Sequence, residues 1–112
     1  MAKNEVFPYR HTRSLPVADG TVSGTPVKVG AFVGVTLTDR GAGGNAAGEA
    51  TVALSGAYTV STTDAVASVG LAVYITGAGA ITTTASGNTL FGHSLGTKSA
   101  GAGTVAVEIH QV

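Results

Sequence analysis

The chain contains no cysteine and no tryptophan. Without cysteine there is neither a disulfide framework nor a thiolate metal site, although the compartment stays open because proteins of either redox environment can lack it. Charge is also scarce. Charged residues make up 11% of the 112 residues, against roughly a quarter in an ordinary soluble domain. The 6 basic and 6 acidic residues cancel, so no basic stripe exists to neutralise phosphates, and nucleic acid is not an expected partner. No apolar run approaches the length of a membrane helix, so no membrane partner is expected either. The segment Met1-Ala2-Lys3-Asn4-Glu5 lacks the apolar centre of a signal peptide, which suggests a protein made in the cytoplasm and not processed.

What the chain does have is glycine, 17 residues of it, together with many Thr, Ala and Val. A length of 112 residues suits one domain. Its core must be built from small aliphatic side chains, each buried Val contributing roughly 1.5 kcal/mol or somewhat more. A thin core and few charges together suggest a surface largely covered by neighbouring molecules. The plainer alternative is a compact monomer with a Thr-coated surface.

Helical periodicity is rare, and Gly and β-branched residues, poor in helix interiors, lie almost everywhere. The pattern predicts an all-β fold, a small sandwich or barrel of short, mostly antiparallel strands. A first strand is expected over residues 14–18, before the turn pair Asp19-Gly20. Val27 and Val29 flank Lys28, and residues 32–38 follow as the second half of a hairpin with Gly30 and Ala31 at its corner. Residues 39–48, centred on Gly41-Ala42-Gly43-Gly44-Asn45, read as a flexible surface loop. Strand-like runs at 49–54 and 57–60 surround Ser55-Gly56, a candidate bulge. Residues 62–68 fit either a single helical turn or an extended loop. A hairpin is expected around Gly77-Ala78-Gly79, and a turn at Gly87-Asn88 leads into another strand. The end of the chain alternates, with Val105, Val107 and Ile109 on one face and Thr104, Ala106, Glu108 and His110 on the other. The expected core is Val27, Val29, Val35, Leu37, Val52, Leu54, Val73, Ile75, Ile81, Leu90, Val105, Val107 and Ile109.

No group of residues points to catalysis. The Gly-rich stretches at 41–44, 77–79 and 101–103 have no following Lys-Ser/Thr and do not open a helix, so none is a phosphate loop. His11, His93 and His110 are far apart and show no metal-ligand spacing, so no metal or other cofactor is expected. The serines sit in turns such as Ser23-Gly24 and Ser55-Gly56 rather than in a nucleophile elbow. Asp19, Asp39 and Asp64 lie in turn-like contexts, where Asp accepts backbone hydrogen bonds. An enzyme is not expected.

Residues 1–13 differ from the remainder. They carry Lys3, Arg10 and Arg13, half of the basic residues, and the aromatics Phe7 and Tyr9, with Pro8 between to break a ladder. They read as an N-terminal arm preceding a single β-rich domain at 14–112. The arm is either a mobile tail or a docking strap, with Phe7 and Tyr9 offering apolar area and Arg10 and Arg13 offering bidentate pairing to carboxylates. Lys3, Asn4, Phe7, Tyr9, Arg10 and Arg13 are the candidate contact residues of such a strap.

Several segments in order resemble one family: Met1-Ala2-Lys3-Asn4, then Val22-Ser23-Gly24-Thr25-Pro26-Val27-Lys28-Val29-Gly30, then Gly34-Val35-Thr36-Leu37-Thr38-Asp39. Ala50-Thr51-Val52-Ala53-Leu54-Ser55-Gly56-Ala57-Tyr58 and Gly70-Leu71-Ala72-Val73-Tyr74 come next. Thr82-Thr83-Thr84-Ala85-Ser86-Gly87-Asn88-Thr89-Leu90-Phe91-Gly92 and the closing alternation complete the set. Together they resemble the phage capsid cement, or decoration, family, once of unknown function and often mislabelled as a RecA/RadA-type recombinase. The chain has neither the Walker motif nor the basic surface that label requires. The resemblance implies a small β-rich virion protein on the outer capsid surface. It implies stabilisation of the head at three-fold or quasi-three-fold positions, with the major capsid protein and other copies of itself, as a homotrimer, for partners. The region from Phe7 to Arg13 is more aromatic and basic than the family pattern. A competing reading is a small adhesin or carbohydrate-binding β module of a phage tail or cell surface. Sugar sites favour exposed aromatics, and this chain offers for that purpose only Tyr9, Tyr58 and Tyr74.

Overall fold

The computed structural model describes residues 12–110, which form nine strands and no helix. The fold is all-β: two curled antiparallel sheets. The first holds β1 (Thr12–Pro16), β2 (Pro26–Val29), β3 (Phe32–Thr36) and β4 (Glu49–Ala53), in the order β1-β4-β3-β2. The second holds β5 (Ala57–Thr62), β6 (Ala72–Ile75), β7 (Ile81–Thr82), β8 (Thr89–Ser94) and β9 (Gly103–Ile109), in the order β5-β9-β8-β6-β7. Thr12 and Arg13, assigned from sequence to the arm, form the start of β1.

Local chemistry accounts for the strand ends. Val29 pairs with Phe32 across Gly30-Ala31. Gly30 has a φ of 61° and no non-glycine among the described residues has a positive φ, so the hairpin turns on glycine at its first central position, as a II′ turn requires. Ser55-Gly56 is not a bulge within one sheet. It carries the chain from β4 in the first sheet to β5 in the second. Residues 62–68 contain no helix. Val66 forms an isolated antiparallel bridge with Lys98, with N–H···O distances of 2.9 and 3.0 Å in the two directions. The loop at 39–48 is tied down. Asn45 Nδ2 donates to Ala42 O at 2.7 Å and Thr51 Oγ1 at 3.0 Å. Gly41 N donates to Glu49 O at 2.7 Å, and the Arg40 guanidinium pairs with Asp19.

The core lies between the sheets. Val33 and Val35 of β3 pack against Val60, Val66, Val73, Ile75, Ile81, Phe91, Val105, Val107 and Ile109, most of them from the second sheet. The closing alternation is as the sequence indicates. Leu37 and Leu90 correct the expected core: Leu37 is 41% exposed, and Leu90 is half-buried. Val27 and Val29 are half-buried as well.

The reason for Leu90 is a bulge. Val73 pairs with Gly92, but Tyr74 pairs with Leu90, so β8 has one extra residue there. Gly92 also pairs with Ile109 and therefore faces inward. The bulge sends Leu90 outward with Tyr74 and turns Phe91 inward, where it is fully buried. Gly92 must be glycine: a Cβ there would lie 2.0 Å from Glu108 O.

The second sheet curls until its edges β5 and β7 meet. Thr62 Oγ1 donates to Ile81 O at 2.9 Å. Asp64 continues this seam, accepting from Thr82 Oγ1 at 2.6 Å and Thr83 N at 3.0 Å on the same Oδ2. These bonds, the Thr82 hydroxyl first and the Thr83 N–H second, hold the Asp64 carboxyl below the ordinary carboxylate range.

Candidate capsid-contact surface

A binding surface on such a molecule is made of loops and strand edges held by the sheets. Five large apolar side chains are exposed: Val22, Phe32, Leu37, Val69 and Leu95. Four of them fall into two pairs, each positioned by a buried hydroxyl. Thr36 Oγ1 accepts from Thr25 N at 2.9 Å and donates to Val22 O at 2.7 Å, fixing Val22 beside the strand that ends next to Leu37. Ser23 Oγ adds a bond to Leu37 O at 3.1 Å. Ser94 Oγ accepts from Leu71 N at 3.1 Å and donates to Ser68 O at 2.7 Å. Gly70 N donates to Ser94 O at 2.7 Å, so Val69 is held beside Leu95. Thr36 and Ser94 are each 1% exposed. Each acts as donor and acceptor at once, which removes the cost of burying the hydroxyl. Phe32 projects at the β2–β3 hairpin, half exposed.

Of the sequence-derived contact residues, the structure places Arg13. It is half-buried in β1 opposite Val52, and its Nη1 donates to Thr12 O at 2.7 Å. Lys3, Asn4, Phe7, Tyr9 and Arg10 lie outside the described residues. The exposed pairs Val22/Leu37 and Val69/Leu95 were not legible as contact candidates. Their signal is an apolar residue next to a buried hydroxyl, and it becomes visible only when strand register is known.

The register also joins groups that are distant in sequence. His93 lies opposite Glu108 on the outer face of the second sheet, and the His93 and His110 rings meet edge to face at 5.7 Å. Among the described residues no group of three His, Cys, Asp or Glu side chains is placed to hold a metal ion. Lys98 Nζ is used structurally, donating to Asp64 O at 3.1 Å and Ser99 O at 2.8 Å. Two surface grooves, of about 470 and 440 Å³, adjoin each other at Pro26 and Gly79. The smaller has no ionisable side chain in its lining and the larger only Lys28.

The model of the phage cement protein family matches residues 10–109, and the chain belongs to that family. No curated protein and no solved structure matches it significantly. Family membership implies a protein of the virion capsid that binds and stabilises the head, and a structural role rather than an enzymatic one.

Proposed function

We propose that this protein binds the outer surface of a phage head through the major capsid protein, sits at three-fold or quasi-three-fold positions, and does so as a homotrimer. The observation that carries the reading is the family match across residues 10–109. The physics supports it. Head decoration repeats one contact many times, so modest affinity per copy suffices when copies are linked. A cyclic trimer would cover part of the apolar surface formed by Val22, Leu37, Val69 and Leu95. Lys3, Asn4, Phe7, Tyr9, Arg10 and Arg13 supply contacts to the capsid or to a neighbouring copy, the aromatics by filling shallow apolar pockets and the arginines by pairing with carboxylates. Fixing such a segment costs roughly 1–2 kcal/mol per residue in backbone entropy, so its contacts must be extensive. The sugar-binding alternative gains no support, since Tyr58 packs against the core and Tyr74 is half-buried.

The test is co-sedimentation with undecorated heads across a salt series. Removing residues 1–11, which leaves β1 intact, is expected to weaken binding. Replacing Arg10 and Arg13 by Gln is expected to flatten the salt dependence, because screened charge pairs are lost. Equal binding of the full and shortened chains at every salt concentration overturns the role given to this segment.

A further inference from the structure

The edge of β5 away from β9 has no ladder partner among the described residues. Beside it lies the 440 Å³ groove, lined by Thr59, Ser61, Gly79, Ala102 and Gly103 among others, with no charged side chain. The Thr62–Ile81 hydrogen bond closes one end of this groove. Pairing on the opposite edge fixes which main-chain groups face it. Ile109 N donates to Gly56 O at 2.9 Å, and the register continues through Tyr58↔Val107 and Val60↔Val105. In an antiparallel ladder the bonded pairs alternate, so Thr59 and Ser61 direct their N–H and C=O groups into the groove. An open edge with main-chain groups turned outward, in a slot walled by small residues, is a template for an added strand.

The chain itself supplies an occupant. Residues 1–11 join the domain at Thr12, on the β1 edge of the first sheet. The groove is reached at Gly24 and Pro26, on the opposite, β2 edge. The row Thr12↔Ala53, Ala53↔Val35, Val35↔Pro26 spans three ladder steps, about 14 Å at ~4.8 Å each. A donor segment at one edge and an acceptor slot at the other make a head-to-tail contact, and contacts of that kind form a ring when the rotation between copies closes.

We propose that residues 1–11 of a second copy add a strand along β5, pairing at Thr59 and Ser61. Eleven extended residues span up to about 36 Å, enough to leave one subunit and run along the open part of β5 past Thr59 and Ser61. Val6, Phe7 and Tyr9 favour strand. With Phe7 and Tyr9 paired to β5, Pro8 turns its missing N–H away from the ladder, the placement an edge strand tolerates. Pro8 then blunts the new edge against a further strand. This inference rests on the self-association reading above and names the surface that carries it.

The absence of native cysteine allows a clean test. Differently tagged Phe7→Cys and Ser61→Cys proteins are mixed, assembled and oxidised. A disulfide-linked pair holding one of each is expected, well above the yield with Ala46→Cys as the partner, in the loop of the first sheet. Native-state hydrogen exchange gives a second readout. Thr59 and Ser61 amides are expected to exchange at least about tenfold more slowly in the full chain than after removal of residues 1–11, with the Val60 amide protected in both as the measure of folding. No mixed pair above the control, a disulfide formed only within one chain of a Phe7→Cys/Ser61→Cys variant, or equal exchange at Thr59 and Ser61 overturns the proposal. Oligomers that persist without residues 1–11 and give no mixed disulfide refute this contact while leaving self-association standing. A monomer at all concentrations refutes both.

Discussion

Replacing Phe91 by Ala tests the bulge in β8 directly. Phe91 heads the fully buried side chains by volume, with 0% exposure, and sits in the main core cluster. Truncating a buried Phe to Ala costs about 3–5 kcal/mol, from lost transfer energy and the cavity left behind. Domains of this size have a total stability of roughly 5–15 kcal/mol, so the variant loses a large share of it. A loss of 3 kcal/mol lowers the melting temperature by at least about 12 °C. Leu90→Ala is the internal control. An unbroken alternation through β8 would place Leu90 in the core with Gly92 and Ser94, and Phe91 outside. The bulge reverses those roles, so Leu90→Ala is expected to cost only about 1 kcal/mol. Urea unfolding of both variants, with slopes compared to confirm a common unfolded state, decides the matter. Equal losses for the two substitutions, or a larger loss at Leu90, would refute the register drawn between β6 and β8.

Gly92→Ala is expected to cost about 3 kcal/mol, because its Cβ meets the backbone at 2.0 Å between two central strands. Gly77→Ala, where nothing lies within 4 Å, is expected to be neutral or to stabilise by roughly 0.5 kcal/mol; calorimetry on the pair checks both. Asp64 has its pKa lowered in the folded state by Thr82 and Thr83. The stability it adds is therefore complete above the unfolded-state value, near pH 4, and is lost as the pH falls through the lower folded value. Asp64→Asn is expected to be less stable than the parent at pH 7, with the gap closing in acid; a gap that stays constant down to pH 2 contradicts the seam described for β5 and β7. Val107→Asp, which buries a charge at a site with 0% exposure, is expected to cost several kcal/mol, read as loss of the folded baseline in circular dichroism.

Strand positions were legible wherever local chemistry decides them. Gly30-Ala31 forces a tight hairpin, and Val105, Val107 and Ile109 alternate cleanly because β9 runs without interruption between two partners. What the sequence hides is non-local. Nothing in the run from Thr89 to Phe91 reveals that β6 pairs with it out of step, so Leu90 and Phe91 exchange faces. Ser55-Gly56 has the composition of a bulge and serves as a passage between sheets. Leu37 looks like the last inward residue of β3, but that strand ends at Thr36, whose hydroxyl is taken by the 22–25 turn. The exposed apolar positions were less legible still, because the backbone at 68–70 is brought to Leu95 only through Ser94.

The place of β9 between β5 and β8 governs when the molecule can fold. β9 is the last of the described strands to leave the ribosome. Until it emerges β5 has no partner, although β5 is complete some 40 residues earlier. The first sheet has all its strands by Ala53, but the core needs Val105, Val107 and Ile109. Nascent chains therefore carry a bare β5 edge and an open apolar face while the roughly 40 residues before β9 are made. Long-range pairing of this kind folds slowly and is exposed to aggregation meanwhile. A chain that stops before residue 103 lacks the strand that joins β5 to β8, and with it three residues of the core.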